Sequence, residues 1–325
     1  MATATPVLLP RLDGLFDLLQ ADGRTIIGPT VRDGAIVLAE LASASALPYG
    51  WRTEVEAGTY RLRKGDERLA FTHTSGPQSW KQVVHPPRQA LWSATRDEDG
   101  FRVTEERSEP RRLALFGVRP CDLRAIGVLD RVLGDGERYA ARRGAMFIVA
   151  VNCTEPGAAC FCVSAGGGPT ADNGYDLALT ERPDGTYLAS AGTAAGMSML
   201  ERLHAPAATP ADLDVAEPTT RMGRTLPAVD LRALLAGHRE DPRWDDVADR
   251  CLACGNCTMA CPTCFCTSVT DTTDLTGDHA GRWETWESCF DPEFTYIHGG
   301  AVRVCRDGPV VRYADAEPLL STREL

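Results

Sequence analysis

Cys251, Cys254, Cys257 and Cys261, followed at once by Pro262, stand at the spacing C-x2-C-x2-C-x3-C-P. Thiolates are soft ligands. Three of them two residues apart can converge on one face of an iron–sulfur cubane, while the x3 step and the proline turn the fourth away; in two-cluster ferredoxins that fourth cysteine serves the other cluster. A ribbon-type zinc site also uses four thiolates, but as two C-x2-C pairs separated by a long insert. The spacing therefore predicts a [4Fe-4S] cluster. Cys264 and Cys266, in Pro262-Thr263-Cys264-Phe265-Cys266, and Cys289 are candidate further ligands; each has the alternative of a buried thiol that packs as a small hydrophobe. Adjacency places Leu252, Ala253, Met259 and Ala260 as shielding around this cluster, and Asn256 or Thr258 as polar contacts near sulfur.

Four more cysteines lie in the first half: Cys121 in Arg119-Pro120-Cys121-Asp122, Cys153 after Asn152, and Cys160 and Cys162 flanking Phe161. The elements that must position them can be read from periodicity. An apolar run Leu113–Val118, a helical recurrence through Leu123, Ile126, Leu129, Val132 and Leu133, and a second run Met146–Val151 spell strand, helix, strand. Such a unit crosses over right-handedly and leaves its strands parallel, with both carboxyl ends on one sheet edge, where open α/β sheets place their sites. Cys121 and Cys153 fall just past those two ends, and the loop after Cys153 carries Cys160 and Cys162. Four thiols are thus expected at one place, the ligand count of a second [4Fe-4S] cluster. The alternative is that Cys121 and Cys153 are packed in apolar surroundings and that only the Cys160/Cys162 pair is reactive.

Around these units the pattern predicts an opening amphipathic helix over residues 10–20, strand-like runs at Thr25–Ile27, Ala35–Leu38 and Tyr60–Leu62, and a hairpin of Tyr175–Leu179 with Thr186–Ser190. Helices are expected over Leu231–His238 and Trp244–Arg250. The fold class expected is an α/β (α+β) domain with a βαβ unit over residues 1–204, a Pro-, Ala- and Thr-rich linker over 205–228, and a mainly helical ferredoxin-like 4Fe-4S domain over 229–325.

The six histidines show no metal-ligand spacing. The loop Gly166-Gly167-Gly168-Pro169 lacks the flanks of a dinucleotide or phosphate motif. No catalytic constellation stands out, so a non-catalytic electron-transfer subunit is expected. A net charge of -11, with Lys64 and Lys81 the only lysines, argues against a nucleic-acid surface. There is no apolar run of about 18 residues and no secretory leader pattern, so no membrane span and a cytoplasmic location are expected. In that compartment twelve cysteines point to ligands rather than disulfides.

The segments Phe116-Gly117-Val118-Arg119-Pro120-Cys121-Asp122-Leu123, Asn152-Cys153, Cys160-Phe161-Cys162, Cys251 through Cys266, Ser288-Cys289-Phe290 and Tyr296-Ile297-His298-Gly299-Gly300 together resemble the β subunit of sulfhydrogenases. These belong to the cytoplasmic NAD(P)-linked [NiFe] hydrogenases, and the A subunit of anaerobic sulfite reductase shares the pattern. The resemblance covers roughly residues 80–304. It implies an iron–sulfur subunit passing electrons between a flavin-containing, NAD(P)-handling subunit and a catalytic [NiFe] hydrogenase or sulfite reductase subunit. Two alternatives stand outside that class: a zinc-stabilised interaction module, and an enzyme whose Cys121/Cys153 site binds sulfur or a thiol substrate. The resemblance also implies a second C-x2-C-x2-C-x3-C-P run after the His-Gly-Gly segment. Here the chain instead reads Val304-Cys305-Arg306-Asp307 and stops at Leu325, so a truncated or frame-shifted product diverging near Cys305 is expected.

Overall fold

The structure is a computed structural model that describes residues 5–56, 58–74, 76–98, 100–106, 109–213, 222–290, 296–297 and 300–301. In chain order it runs β1 (Val7–Leu9), α1 (Asp13–Ala21), β2 (Thr25–Arg32), β3 (Ala35–Glu40), β4 (Trp51–Glu56), β5 (Thr59–Lys64), α2 (Lys81–Val84), β6 (Arg88–Asp97) and β7 (Gly100–Glu105). There follow β8 (Leu113–Val118), α3 (Pro120–Leu133), α4 (Glu137–Gly144), β9 (Phe147–Val151), β10 (Leu177–Glu181), β11 (Tyr187–Ala191), α5 (Ala194–Leu203) and α6 (Pro210–Leu213). The rest carries α7 (Leu231–Gly237), α8 (Arg243–Asp249), α9 (Asn256–Ala260), β12 (Thr267–Thr273) and β13 (His279–Trp286). Two compact units form, one from residues 1–84 and 109–228, the other from 85–108 and 229–325.

The first unit is a seven-stranded sheet in the order β1-β11-β10-β9-β8-β2-β3. Its middle strands β10, β9, β8 and β2 are parallel, and antiparallel neighbours close both sides. β8 and β9 are apolar at every position and buried at every position, as strands covered on both faces must be. Ala114 and Phe116 pack with Leu15, Phe16 and Leu19 of α1 and Met199 of α5. Leu113 and Leu115 point the other way, to Leu123, Ile126 and Leu129 of α3. Val118 joins that second face although it has the parity of Phe116. The reason is Gly117, which sits at φ +89 in a bulge where the β8–β9 register shifts, so the strand skips one side-chain turn before it enters α3. The β8-α3-β9 crossover, the opening helix and the β10/β11 hairpin lie where periodicity placed them.

In the second unit β12, β13, β6 and β7 form an antiparallel sheet in that order. β6 pairs with β13 from His279↔Thr95 to Thr285↔Arg88, which ties residues 85–108 to this unit rather than to the first. Arg88 covers the Trp283 ring at 4.0 Å, and Arg282 holds Asp271 with two 2.7 Å bonds. The expectation of a mainly helical C-terminal domain is not confirmed: among the described residues its helices are three short ones of 7, 7 and 5 residues, beside the strands β12 and β13 of the four-stranded sheet. The stretch 205–228 is also more than a spacer where it is described. Ala208 is buried and its N–H donates to Pro6 O at 2.8 Å, while Arg224 N and Leu226 N donate to Cys160 O and Ser164 Oγ, both at 2.9 Å. Cys305, His298 and the end of the chain, where the expected divergence falls, lie outside the described residues.

Candidate metal centres

The eleven cysteines among the described residues are all thiols. Among those residues no three Cys, His, Asp or Glu side chains converge closely enough to hold a single metal ion. A cubane is a larger body than one ion and spreads its ligands accordingly, so the fit rests on donor chemistry and on how the backbone is wound.

The cysteine run begins where α8 ends, with Cys251 N bonded to Ala248 O at 3.0 Å. Ala253 (φ +50) and Gly255 (φ +70) are both left-handed, which coils the two C-x2-C steps back on themselves. Ala253 N donates to Cys251 Sγ at 3.4 Å, the N–H to sulfur bond that favours a thiolate. A Cβ on Gly255 would stand 3.1 Å from Ser288 Cβ. Cys257 lies in the first turn of α9, and Cys251, Cys254 and Cys257 are exposed while Cys261 is half-buried. Burial acts to raise the Cys261 thiol, but hydrogen bonds from Thr263, whose Oγ1 is 3.2 Å from Sγ, and from Cys264 outweigh it and hold the thiol below its ordinary value.

Thr258, expected from adjacency as a polar contact near sulfur, also braces the loop. Its buried hydroxyl bonds Gly255 O at 2.7 Å and Ser288 Oγ at 2.9 Å, and so ties the cysteine loop to the strand-end at Ser288. The β12/β13 hairpin brings Ser288 there: Thr267 pairs with Trp286, and Glu287 N donates to Cys266 O at 2.9 Å. Buried Cys289 therefore returns to the end of the sheet that carries Cys266, although about twenty residues of hairpin separate them in sequence. Non-local strand pairing makes this neighbourhood, and spacing alone does not reveal it.

In the first unit Asn152 alone separates Cys153 from the end of β9. Asn152 fixes the turn by donating from N to Leu179 O, from Nδ2 to Thr180 Oγ1 and by accepting Ala171 N at Oδ1, each at 2.8 Å. Burial pushes the Cys153 thiol up, the Arg119 guanidinium opposes that, and nearby Cys160 and Cys162 add to it. Cys160 and Cys162 are thus near enough to Cys153 for their charges to act on it. Cys162 O accepts Gly167 N at 2.8 Å, closing the glycine loop, and Cys162 Sγ meets Met222 Sδ at 3.5 Å. Gly157 is pressed so close to Thr74 that a Cβ there would stand 2.6 Å from Thr74 Cγ2 and 3.7 Å from Cys160 Sγ. Cys121 is exposed in the first turn of α3, three residues before Arg124 and on the same helix face. Arg124 Nη1 lies against Gly167, so the cysteine loop approaches that face of α3.

Three residues here carry no sequence signal of their own. Arg119 is buried and donates from Nη2 to Phe71 O at 2.6 Å and His73 O at 2.7 Å, and from Nη1 to Asn152 O at 3.4 Å. Glu181, also buried, holds the same segment from its amide side, accepting Ala70 N at 2.7 Å and Phe71 N at 2.9 Å. His73 is buried, and burial, followed by the Arg119 charge, depresses it to about 3. One ring nitrogen faces Thr74 O at 3.0 Å and the other has no partner among the described residues. Only the Arg-Pro-Cys-Asp motif around Arg119 hinted at this cluster.

Residues 250–313 match the family model of the 4Fe-4S dicluster domain. The chain is 31% identical over 261 residues to the Sulfhydrogenase 2 subunit beta of Pyrococcus furiosus, an alignment covering 74% of this chain and 73% of that protein. No solved structure matches the chain. The wound cysteine run inside the matched segment and the extent of that alignment make this chain a member of the sulfhydrogenase β-subunit family, with [4Fe-4S] as its cofactor.

Proposed function

We propose that this protein is a cytoplasmic, non-catalytic electron relay, placed between a flavin-containing, NAD(P)-handling subunit and a [NiFe] hydrogenase or sulfur-reducing catalytic subunit. The observation that carries the reading is the cysteine run 251–261 within the dicluster match, coiled by two left-handed residues and anchored through Thr258 to Ser288. When bound, the cluster supplies one-electron transfer; the protein supplies thiolates, burial and hydrogen bonds that set its potential. Cys251, Cys254 and Cys257, with Cys261, are assigned as ligands. The matched segment holds eight cysteines, Cys251, Cys254, Cys257, Cys261, Cys264, Cys266, Cys289 and Cys305, the ligand number of two clusters. Cys121, Cys153, Cys160 and Cys162 are assigned to a further one. The alignment with a sulfhydrogenase β subunit supports placing the relay in a hydrogenase complex, with an anaerobic sulfite reductase complex as the alternative. No helix among the described residues is long and apolar enough to cross a membrane.

Anaerobic purification followed by iron, acid-labile sulfide and zinc analysis tests the reading. About eight to twelve irons per chain with matching sulfide, and EPR signals that appear on dithionite reduction, are expected. Zinc without sulfide would leave a structural metal module in place of the relay. Co-purification with [NiFe] hydrogenase subunits, and not with a sirohaem protein, checks the partners.

A further inference from the structure

The geometry points to Arg119 as the residue that sets the reduction potential of the N-terminal cysteine site, acting as a fixed cation beside Cys153. This rests on the reading of Cys121, Cys153, Cys160 and Cys162 as a cluster site.

Arg119 is only 4% exposed. A guanidinium cannot shed its proton in a protein, so it is buried as a charge. Buried arginines are ordinarily paired with a carboxylate, because an uncompensated buried charge is strongly unfavourable. Here the guanidinium meets three carbonyl oxygens, of Phe71, His73 and Asn152, and the Phe71 ring at 5.7 Å; among the described residues its Nε has no partner and no carboxylate lies within ion-pair distance. Glu181, buried nearby, accepts the amides of Ala70 and Phe71 and feels the Arg119 charge, which opposes the upward push of burial on its carboxyl, but it forms no ion pair with the guanidinium. The carbonyls align the cation, and burial, which favours the protonated Glu181, weakens the carboxyl that acts on it from a distance.

That cation stands where the thiols gather. Asn152, one of its acceptors, immediately precedes Cys153, and Pro120-Cys121 immediately follow Arg119. Reduction adds one electron to a cluster and breaks no bond, so it adds one negative charge. A nearby fixed cation in a dry site stabilises the reduced form more than the oxidised one and raises the potential. Arg119 touches no transferred electron itself; it is a positioning residue.

The test uses the full chain, purified anaerobically and titrated with dithionite under EPR detection, the N-terminal signal being the one that Cys153→Ala removes. In Arg119→Met with unchanged iron content, that signal is expected to titrate more negatively by a tenfold or greater change in the one-electron equilibrium, ~59 mV. Arg119→Lys at neutral pH should stay near the wild type. An unshifted Met variant overturns the inference, and so does a Lys variant shifted as far as the Met one, since that marks a packing role. Where the Met variant loses its iron, the Lys variant carries the test: its ammonium can be titrated, so its midpoint must fall with rising pH more steeply than that of the wild type. Equal pH profiles overturn the inference. If instead Cys153→Ala leaves iron content and spectrum unchanged, the cluster reading itself fails, and the inference with it.

Discussion

At the residue scale, the chemistry of the C-terminal run is written in its spacing, because ligand geometry depends on how many residues separate thiols on a short loop. Arg119 and His73 are different. Whether an arginine or a histidine is buried depends on what packs over it from strands far away in sequence, and no local pattern records that. His73 nonetheless makes a measurable statement. Its ring is held neutral in the folded protein, at about 3 against 6.5 in the unfolded chain. The folded state therefore binds fewer protons than the unfolded state between those two values. Stability from this group is present above the unfolded value and is lost as pH falls toward the folded one, with a slope approaching ~1.4 kcal/mol per pH unit. Urea midpoints measured anaerobically should drop between pH 7 and pH 4.5 more steeply for the wild type than for His73→Gln. Parallel profiles would mean that the ring is not buried neutral.

At the scale of elements, β8-α3-β9 was legible because both of its periods, continuous apolar strands and a 3.6-residue helical stripe, are local. The bulge inside β8 was not. Gly117 reads as one more small apolar residue, yet it changes which face Val118 covers and so sets the direction in which Arg119-Pro120-Cys121 leave the sheet. At φ +89 an added Cβ is strained in its own right, and it would stand 3.0 Å from Pro29 Cδ and 3.3 Å from Phe71 Cε1. Phe71 carries one of the carbonyls that hold Arg119. Gly117→Ala is therefore expected to destabilise the first unit by ~1–3 kcal/mol. Calorimetry or urea unfolding reads that loss; a change below ~0.5 kcal/mol would show that the bulge relaxes freely.

At the scale of the whole molecule, the division into units follows strand pairing rather than chain order. β6 and β7 precede the cysteine run by some 150 residues, yet β6 flanks β13, and their exposed positions mix Arg, Thr, Asp and Glu with Phe101 and Val103, as an ordinary edge hairpin can. Nothing local distinguishes a strand that will pair with residues 279–286 from one that pairs at home, so sequence reading kept residues 85–108 with the first domain. A consequence follows for any attempt to isolate the ferredoxin-type segment. A fragment of residues 229–325 keeps β12 and β13 but loses the partner on the other side of β13. A lone two-stranded ribbon is marginal in water, and the exposed backbone of β13 becomes a template for aggregation. The cysteine loop is tied to the end of that ribbon through Thr258 and Ser288, so it should lose its winding together with the sheet. Fragment 229–325 is expected to reconstitute little iron and to precipitate, whereas joining residues 85–108 to it through a flexible tether should restore both solubility and iron per chain. Equal iron loading with and without residues 85–108 would show that the cysteine loop folds around its cluster independently of the sheet.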